Sequence, residues 1–108
     1  MSLNLPKPIA DYFAAGKGAA ADAAECFTED VIVKDEGHTY YGLTAVKKWK
    51  AGASKKYTYT SEPFAAKRAD GKTVISSRLI GNFPGSPVDL RFFFGLEGDK
   101  ISFLEIIP

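Results

Sequence analysis

Near the start of the chain, Leu5, Ile9, Tyr12 and Phe13 fall at i, i+4, i+7 and i+8, one face of a helix. Pro6 and Pro8 fit only near a helix start, and Gly16 and Gly18 end it. Ala20, Ala23 and Phe27 form the stripe of a second, alanine-rich helix over 19–27, whose small residues allow close packing. Val31-Ile32-Val33 is β-branched and reads as a strand. Asp35-Glu36-Gly37 is a turn, His38 to Tyr41 return from it, and Gly42 stops that strand. A third helix covers about 43–54, with Val46, Trp49 and Ala53 inward and Lys47, Lys48 and Lys50 mostly outward. From Tyr57 the period changes. Four long β-compatible runs, roughly 57–69, 72–83, 88–97 and 100–107, are separated by Asp70-Gly71, Pro84-Gly85-Ser86-Pro87 and Gly98-Asp99. Consecutive strands joined by short turns make an antiparallel meander. Runs this long twist and curl, and a curled sheet with helices on its concave face encloses a volume. The pattern therefore predicts an α+β chain, helices first and meander last, folded around one apolar pocket.

Composition narrows the function classes. The 108 residues suit one domain, 1–108, able to bury a core without metal or disulfide staples. Cys26 and His38 are the only cysteine and histidine, which excludes an internal disulfide and a zinc-type Cys/His cluster. A net charge of +1 gives no electrostatic pull toward nucleic acid or membrane. The first thirty residues hold no apolar stretch long enough for a signal peptide or membrane span, so a cytoplasmic protein is expected. The aromatic share, 13 %, is high. Phe13, Tyr41, Trp49, Phe64, Phe83, Phe92, Phe93 and Phe94 line either a cavity or a solid core. The run Phe92-Phe93-Phe94 puts rings on both faces of one strand. One face would line the cavity and a partner subunit would cover the other, which predicts a homodimer. The lysine-rich third helix is read as a solvated face, and Cys26 as inert core.

Helix, helix, short hairpin, helix and four-stranded meander is a layout that resembles the nuclear transport factor 2-like superfamily, in its SnoaL-like polyketide cyclase and ketosteroid isomerase-like branch. Local residues carry the same likeness. Asp11-Tyr12-Phe13-Ala14-Ala15 resembles its first helix, and Cys26-Phe27-Thr28-Glu29-Asp30-Val31 its helix-to-strand junction. Tyr40-Tyr41-Gly42-Leu43-Thr44-Ala45-Val46 resembles the entry to its third helix, and Gly98-Asp99-Lys100-Ile101 its last hairpin. The resemblance implies a cystatin-like curved antiparallel sheet wrapped around N-terminal helices, a cone-shaped α+β roll. It also implies a homodimer paired through the sheet. It does not imply one activity, because the fold serves isomerases, cyclases, dehydratases, adaptors and plain binders.

The candidate chemistry follows from that likeness and from the residues. Asp35 stands where the isomerases carry their general base; a carboxylate at a pocket mouth takes a proton α to a carbonyl if apolar walls raise its pKa. The alternative is an Asp that bonds its own backbone in an Asp-x-Gly turn. Tyr12 corresponds to the isomerases' phenol donor to the enolate oxygen; alternatively it only packs in the apolar stripe. His38, three residues beyond Asp35, either shuttles a proton or stands in solvent. The isomerases add a protonated Asp on the third meander strand. Here Val88-Asp89-Leu90-Arg91-Phe92-Phe93-Phe94 offers Leu90, Arg91 or Phe92, none an acid. Arg91 replaces that donor if it faces inward and is a surface charge if outward. Glu105, by alternation opposite Leu104 and Ile106, is read as an outward or dimer-face charge. Phe13, Tyr41, Trp49, Arg91 and Phe93 complete the expected lining. Two readings stand at this point: an isomerase or cyclase acting next to a carbonyl of an apolar small molecule, with no metal or other cofactor, or a non-catalytic binder of a hydrophobic small molecule or dimeric interaction module.

Overall fold

The computed structural model describes residues 5–15, 26–56 and 59–108. Its elements are α1 (Lys7–Ala15), β1 (Phe27–Asp35), β2 (His38–Tyr41), α2 (Leu43–Lys56), β3 (Tyr59–Ala69), β4 (Lys72–Gly81), β5 (Val88–Glu97) and β6 (Lys100–Ile107). The expected helix over 19–27 lies mostly outside the described residues. Its last residue, Phe27, opens β1, so that strand starts well before Val31.

The strands form one six-stranded sheet in the order β2-β1-β6-β5-β4-β3. Strands β3 to β6 are the antiparallel meander. The sheet as a whole is mixed, because β1 runs parallel to β6, pairing Val33 with Leu104 and Asp35 with Ile106. That long-range pairing brings the β1–β2 hairpin to the far edge of the meander. Asp70 and Gly71 both take left-handed backbone, φ 52° and 75°, as a tight hairpin turn requires. Register shifts at Pro63/Ala65 and Gly95/Leu96 are the bulges that bend the sheet. Pro63 is tolerated because β3 is an edge strand.

Alternation sorts the sheet into two faces. Ile75, Phe92, Phe94 and Leu104 are buried, as are Val31 and Val33 on β1. Against them α1 packs Ile9, Tyr12 and Phe13, the face its periodicity predicts, while α2 contributes Val46. Burying Phe94 completely is worth about 1.5–3 kcal/mol relative to an exposed ring. Gly42, at φ 86°, donates its N–H to Val31 O at 2.8 Å and accepts from Val46 N at 3.1 Å. This one residue ties the start of α2 to β1 and so sets where the helix crosses the sheet.

Candidate active site

A cavity of about 1040 Å³ opens between α1, α2 and the concave face of the sheet. On β1 the inward stripe is Val31, Val33, Asp35. The first two are buried and the third, at the strand's end, reaches the cavity wall. Trp49 of α2 donates its indole N–H to Asp35 Oδ2 at 3.0 Å. Burial pushes the Asp35 carboxyl above its ordinary range, aided by the neighbouring Glu36 charge and opposed by the Trp49 bond and a weaker pull from His38. An acid with raised proton affinity is better matched to proton abstraction near neutral pH than an ordinary surface Asp.

Tyr12 lies across the same cavity, within a cluster of aromatic rings. Its ring centroid is 5.3 Å from Phe13, 5.5 Å from Phe94 and 5.9 Å from Phe27, all edge-on. These T-shaped contacts hold the ring. Burial, with the nearby Tyr59 and Asp35 charges, pushes the Tyr12 phenol well above its ordinary range, so it stays protonated and can only donate to an anion. Tyr59 of β3 also lines the cavity, and its phenol is raised chiefly by burial. Below it, Ser61 Oγ and the buried Ser77 Oγ share a hydrogen bond of 2.7 Å.

Of the residues expected from sequence, the structure brings Asp35, Tyr12, Phe13 and Trp49 to this one cavity. It places four others elsewhere. His38 sits opposite Asp35 in the β1–β2 ladder, but is exposed and outside the lining. Tyr41 is 71 % exposed, because alternation along β2 turns Tyr40 inward instead. The Tyr40 ring lies 6.1 Å from Trp49. On β5 the inward residues are Leu90 and Phe92, which line the cavity. Arg91 and Phe93 therefore belong to the other face. Arg91 is exposed and donates to Pro108 O at 3.1 Å, and Phe93 pairs with Val74 and Glu105. Among the described residues no group of three or more His, Cys, Asp or Glu side chains could hold a metal ion. No helix among them is long and apolar enough to cross a membrane.

One residue runs against expectation in the other direction. Lys50, read from sequence as outward, is 5 % exposed and lines the cavity. Its Nζ lies 4.4 Å from the centroid of the Tyr12 ring. The signal was present: Lys50 is i+4 from Val46 and next to Trp49, so helical geometry puts it on the inward stripe despite its charge.

The architecture has solved counterparts. A proposed polyketide cyclase from Sinorhizobium meliloti is 33 % identical, 95 % of each chain being covered, with a TM-score of 0.89. The chain belongs to the nuclear transport factor 2-like, SnoaL-like superfamily. A protein of ketosteroid isomerase-like fold from Catenulispora acidiphila, solved with trimethylamine, is 19 % identical over 97 % of this chain and 87 % of that one, with a TM-score of 0.83. A nuclear transport factor 2-like protein from Cytophaga hutchinsonii is 10 % identical over 99 % and 91 %, with a TM-score of 0.76. No protein-family model matches the chain, and no curated protein matches it in sequence. The inward β5 positions at the cavity, Leu90 and Phe92, carry no acid.

Proposed function

We propose that the protein is an isomerase or cyclase that removes a proton next to a carbonyl of an apolar substrate, using its own side chains as acid and base. The observation that carries this reading is the meeting of Asp35 and Tyr12 at one cavity, the first held by the Trp49 indole and the second locked by rings. In the first step the Asp35 carboxylate takes the α-proton. The electron pair moves onto the carbonyl oxygen, which accepts a hydrogen bond from the Tyr12 phenol. Tyr59 supplies a second phenol in place of the absent acid. The enolate then takes the proton back from Asp35 at another carbon, which is isomerisation, or attacks a second carbonyl of the same molecule, the alkoxide so formed taking the proton from Asp35, which is cyclisation. The likeness to the proposed polyketide cyclase supports this class of substrate.

The test is turnover of a panel of enolisable ketones and linear poly-β-ketones, followed by absorbance and product mass. The expected result is conversion by the wild type, and in Asp35→Asn a loss of turnover with substrate affinity retained. Affinity without turnover in the wild type would favour a plain binder.

The same reading includes a cytoplasmic homodimer paired through the outer face of the sheet. Phe64 and Ile80 are 53 % and 42 % exposed there, and Phe93 and Ile107 of β5 and β6 are half-buried. Large apolar side chains grouped on one sheet face suit a second copy of the chain.

A further inference from the structure

Lys50 has no part in the proton transfer just described, and its position is costly. An ammonium taken out of water loses several kcal/mol of hydration unless an anion replaces it. The ion pairs among the described residues are Lys7–Asp11 and Arg78–Asp89, both on the surface. No described carboxylate pairs with Lys50, and no described residue accepts a hydrogen bond from it. Its nearest electrostatic neighbours are the Tyr12 ring face and Cys26. A ring face repays only part of the desolvation. Lys50 is nevertheless part of the cavity lining. Burial pushes the amine below its ordinary range.

The helix separates this charge from the acid. Trp49 and Lys50 are neighbours, about 100° apart around α2. Trp49 leads to Asp35 at the end of β1, and Lys50 leads to Tyr12 on α1. The two opposite charges share a cavity yet form no ion pair. The lining also holds the apolar Phe92, Leu90 and Ile106, together with the charged Glu36 and Lys48. A ligand that satisfies both ends carries an anion at one, an apolar body, and a neutral carbonyl at the other.

We propose that Lys50 is an anion-binding subsite, which selects a ligand with a carboxylate on an apolar body, and that the substrate is a keto acid. The assignment of a keto acid rests on the proton-transfer reading above; the carboxylate subsite does not. The ammonium takes the carboxylate as a charge-assisted hydrogen bond. It also fixes the end-to-end direction of the ligand, placing the carbonyl away from Lys50 and toward Asp35.

The test uses two probes of equal size, 4-phenylbutyrate and 4-phenylbutyramide, bound to the intact chain at neutral pH and followed through the fluorescence of Trp49, the only tryptophan. The wild type is expected to prefer the carboxylate by roughly tenfold, the size of one charge-assisted hydrogen bond. Lys50→Met is expected to abolish the preference while leaving amide affinity unchanged or higher. Lys50→Arg is expected to keep most of it. Asp35→Asn is expected to keep or increase it, since the variant removes a like charge from the cavity, which separates this subsite from the catalytic reading. An equal affinity for the two probes in the wild type, a preference that survives Lys50→Met, or failure of both probes to bind at millimolar concentration would overturn the proposal. Lys50→Met removes a buried charge and fills the same volume, so loss of folding is not expected; a cooperative thermal transition checks this.

Discussion

Trp49→Phe isolates the bond that positions the candidate base. Phenylalanine keeps an aromatic body beside Tyr40 and in the cavity wall, but lacks the N–H that reaches Asp35 Oδ2 at 3.0 Å. A hydrogen bond to a charged group is worth about 1.5–3 kcal/mol. Because Asp35 is only half-buried and water can partly replace the donor, the lower end applies, about 1.5 kcal/mol. That energy favours the ionised carboxylate alone. Its loss should make Asp35 bind its proton about tenfold more tightly, at 1.36 kcal/mol per tenfold. The assay is carboxyl-carbon NMR titration of wild type and Trp49→Phe, with Asp35→Asn to assign the resonance. The titration of Asp35 should move to higher pH in Trp49→Phe, and the acid limb of any pH–rate profile should move with it. An unchanged or lower midpoint would mean that the indole does not hold the charged form.

Other expectations concern stability and assembly. Folding lowers the proton affinity of Lys50, so its contribution is most favourable above the ordinary lysine range near 10.5 and is lost as pH falls through the folded value; Lys50→Met should raise the melting temperature at neutral pH, and the gain should shrink as pH rises toward that range. Asp35 has the opposite sign: its raised proton affinity stabilises most below the unfolded value near 3.8 and is lost as pH rises through the folded one, so Asp35→Asn should raise the melting temperature at neutral pH but not in acid. At Gly95 an added Cβ would stand 3.0 Å from Phe103 Cβ, and Gly95→Ala should cost about 1–2 kcal/mol and lower the melting temperature by several degrees, whereas an unchanged transition would contradict the packing. Sedimentation equilibrium should give a dimer at micromolar concentration and a monomer for Ile80→Glu; a monomeric wild type would remove the sheet-face interface.

The meander was legible because its signals are local. The third and fourth runs, 88–97 and 100–107, are the strands observed, and Asp70-Gly71 takes the backbone that the dipeptide favours. The start of β1 was not legible. Thr28, Glu29 and Asp30 are polar and partly or fully solvated, so nothing in their own chemistry marks a strand; pairing of Phe27 with Ile101 on β6 does. Parallel pairing is decided by residues some seventy positions apart and leaves no local trace. The site was half legible for similar reasons. Asp35 and Tyr12 stood out by type and place. The phase of β5 did not, because Phe92, Phe93 and Phe94 are apolar on both faces, and only pairing with β4 and β6 turns Arg91 outward. Lys50 was misread because its charge outweighed its spacing from Val46. A cation at an inward position is where local consistency breaks, and such breaks concentrate at functional sites.

Proton abstraction by Asp35 is read out by deuterium exchange at the α-carbon of an apolar keto acid in heavy water, followed by proton NMR with wild type and Asp35→Asn in parallel. Exchange needs only proton abstraction and the return of a deuteron to the same carbon, so it reports on the base whatever the final product. A role for Asp35 as the base predicts exchange well above buffer with the wild type and a loss of about 10²–10⁴-fold in Asp35→Asn, the usual contribution of a general base. Equal exchange rates for the two proteins would contradict it, as would a wild-type rate no faster than buffer.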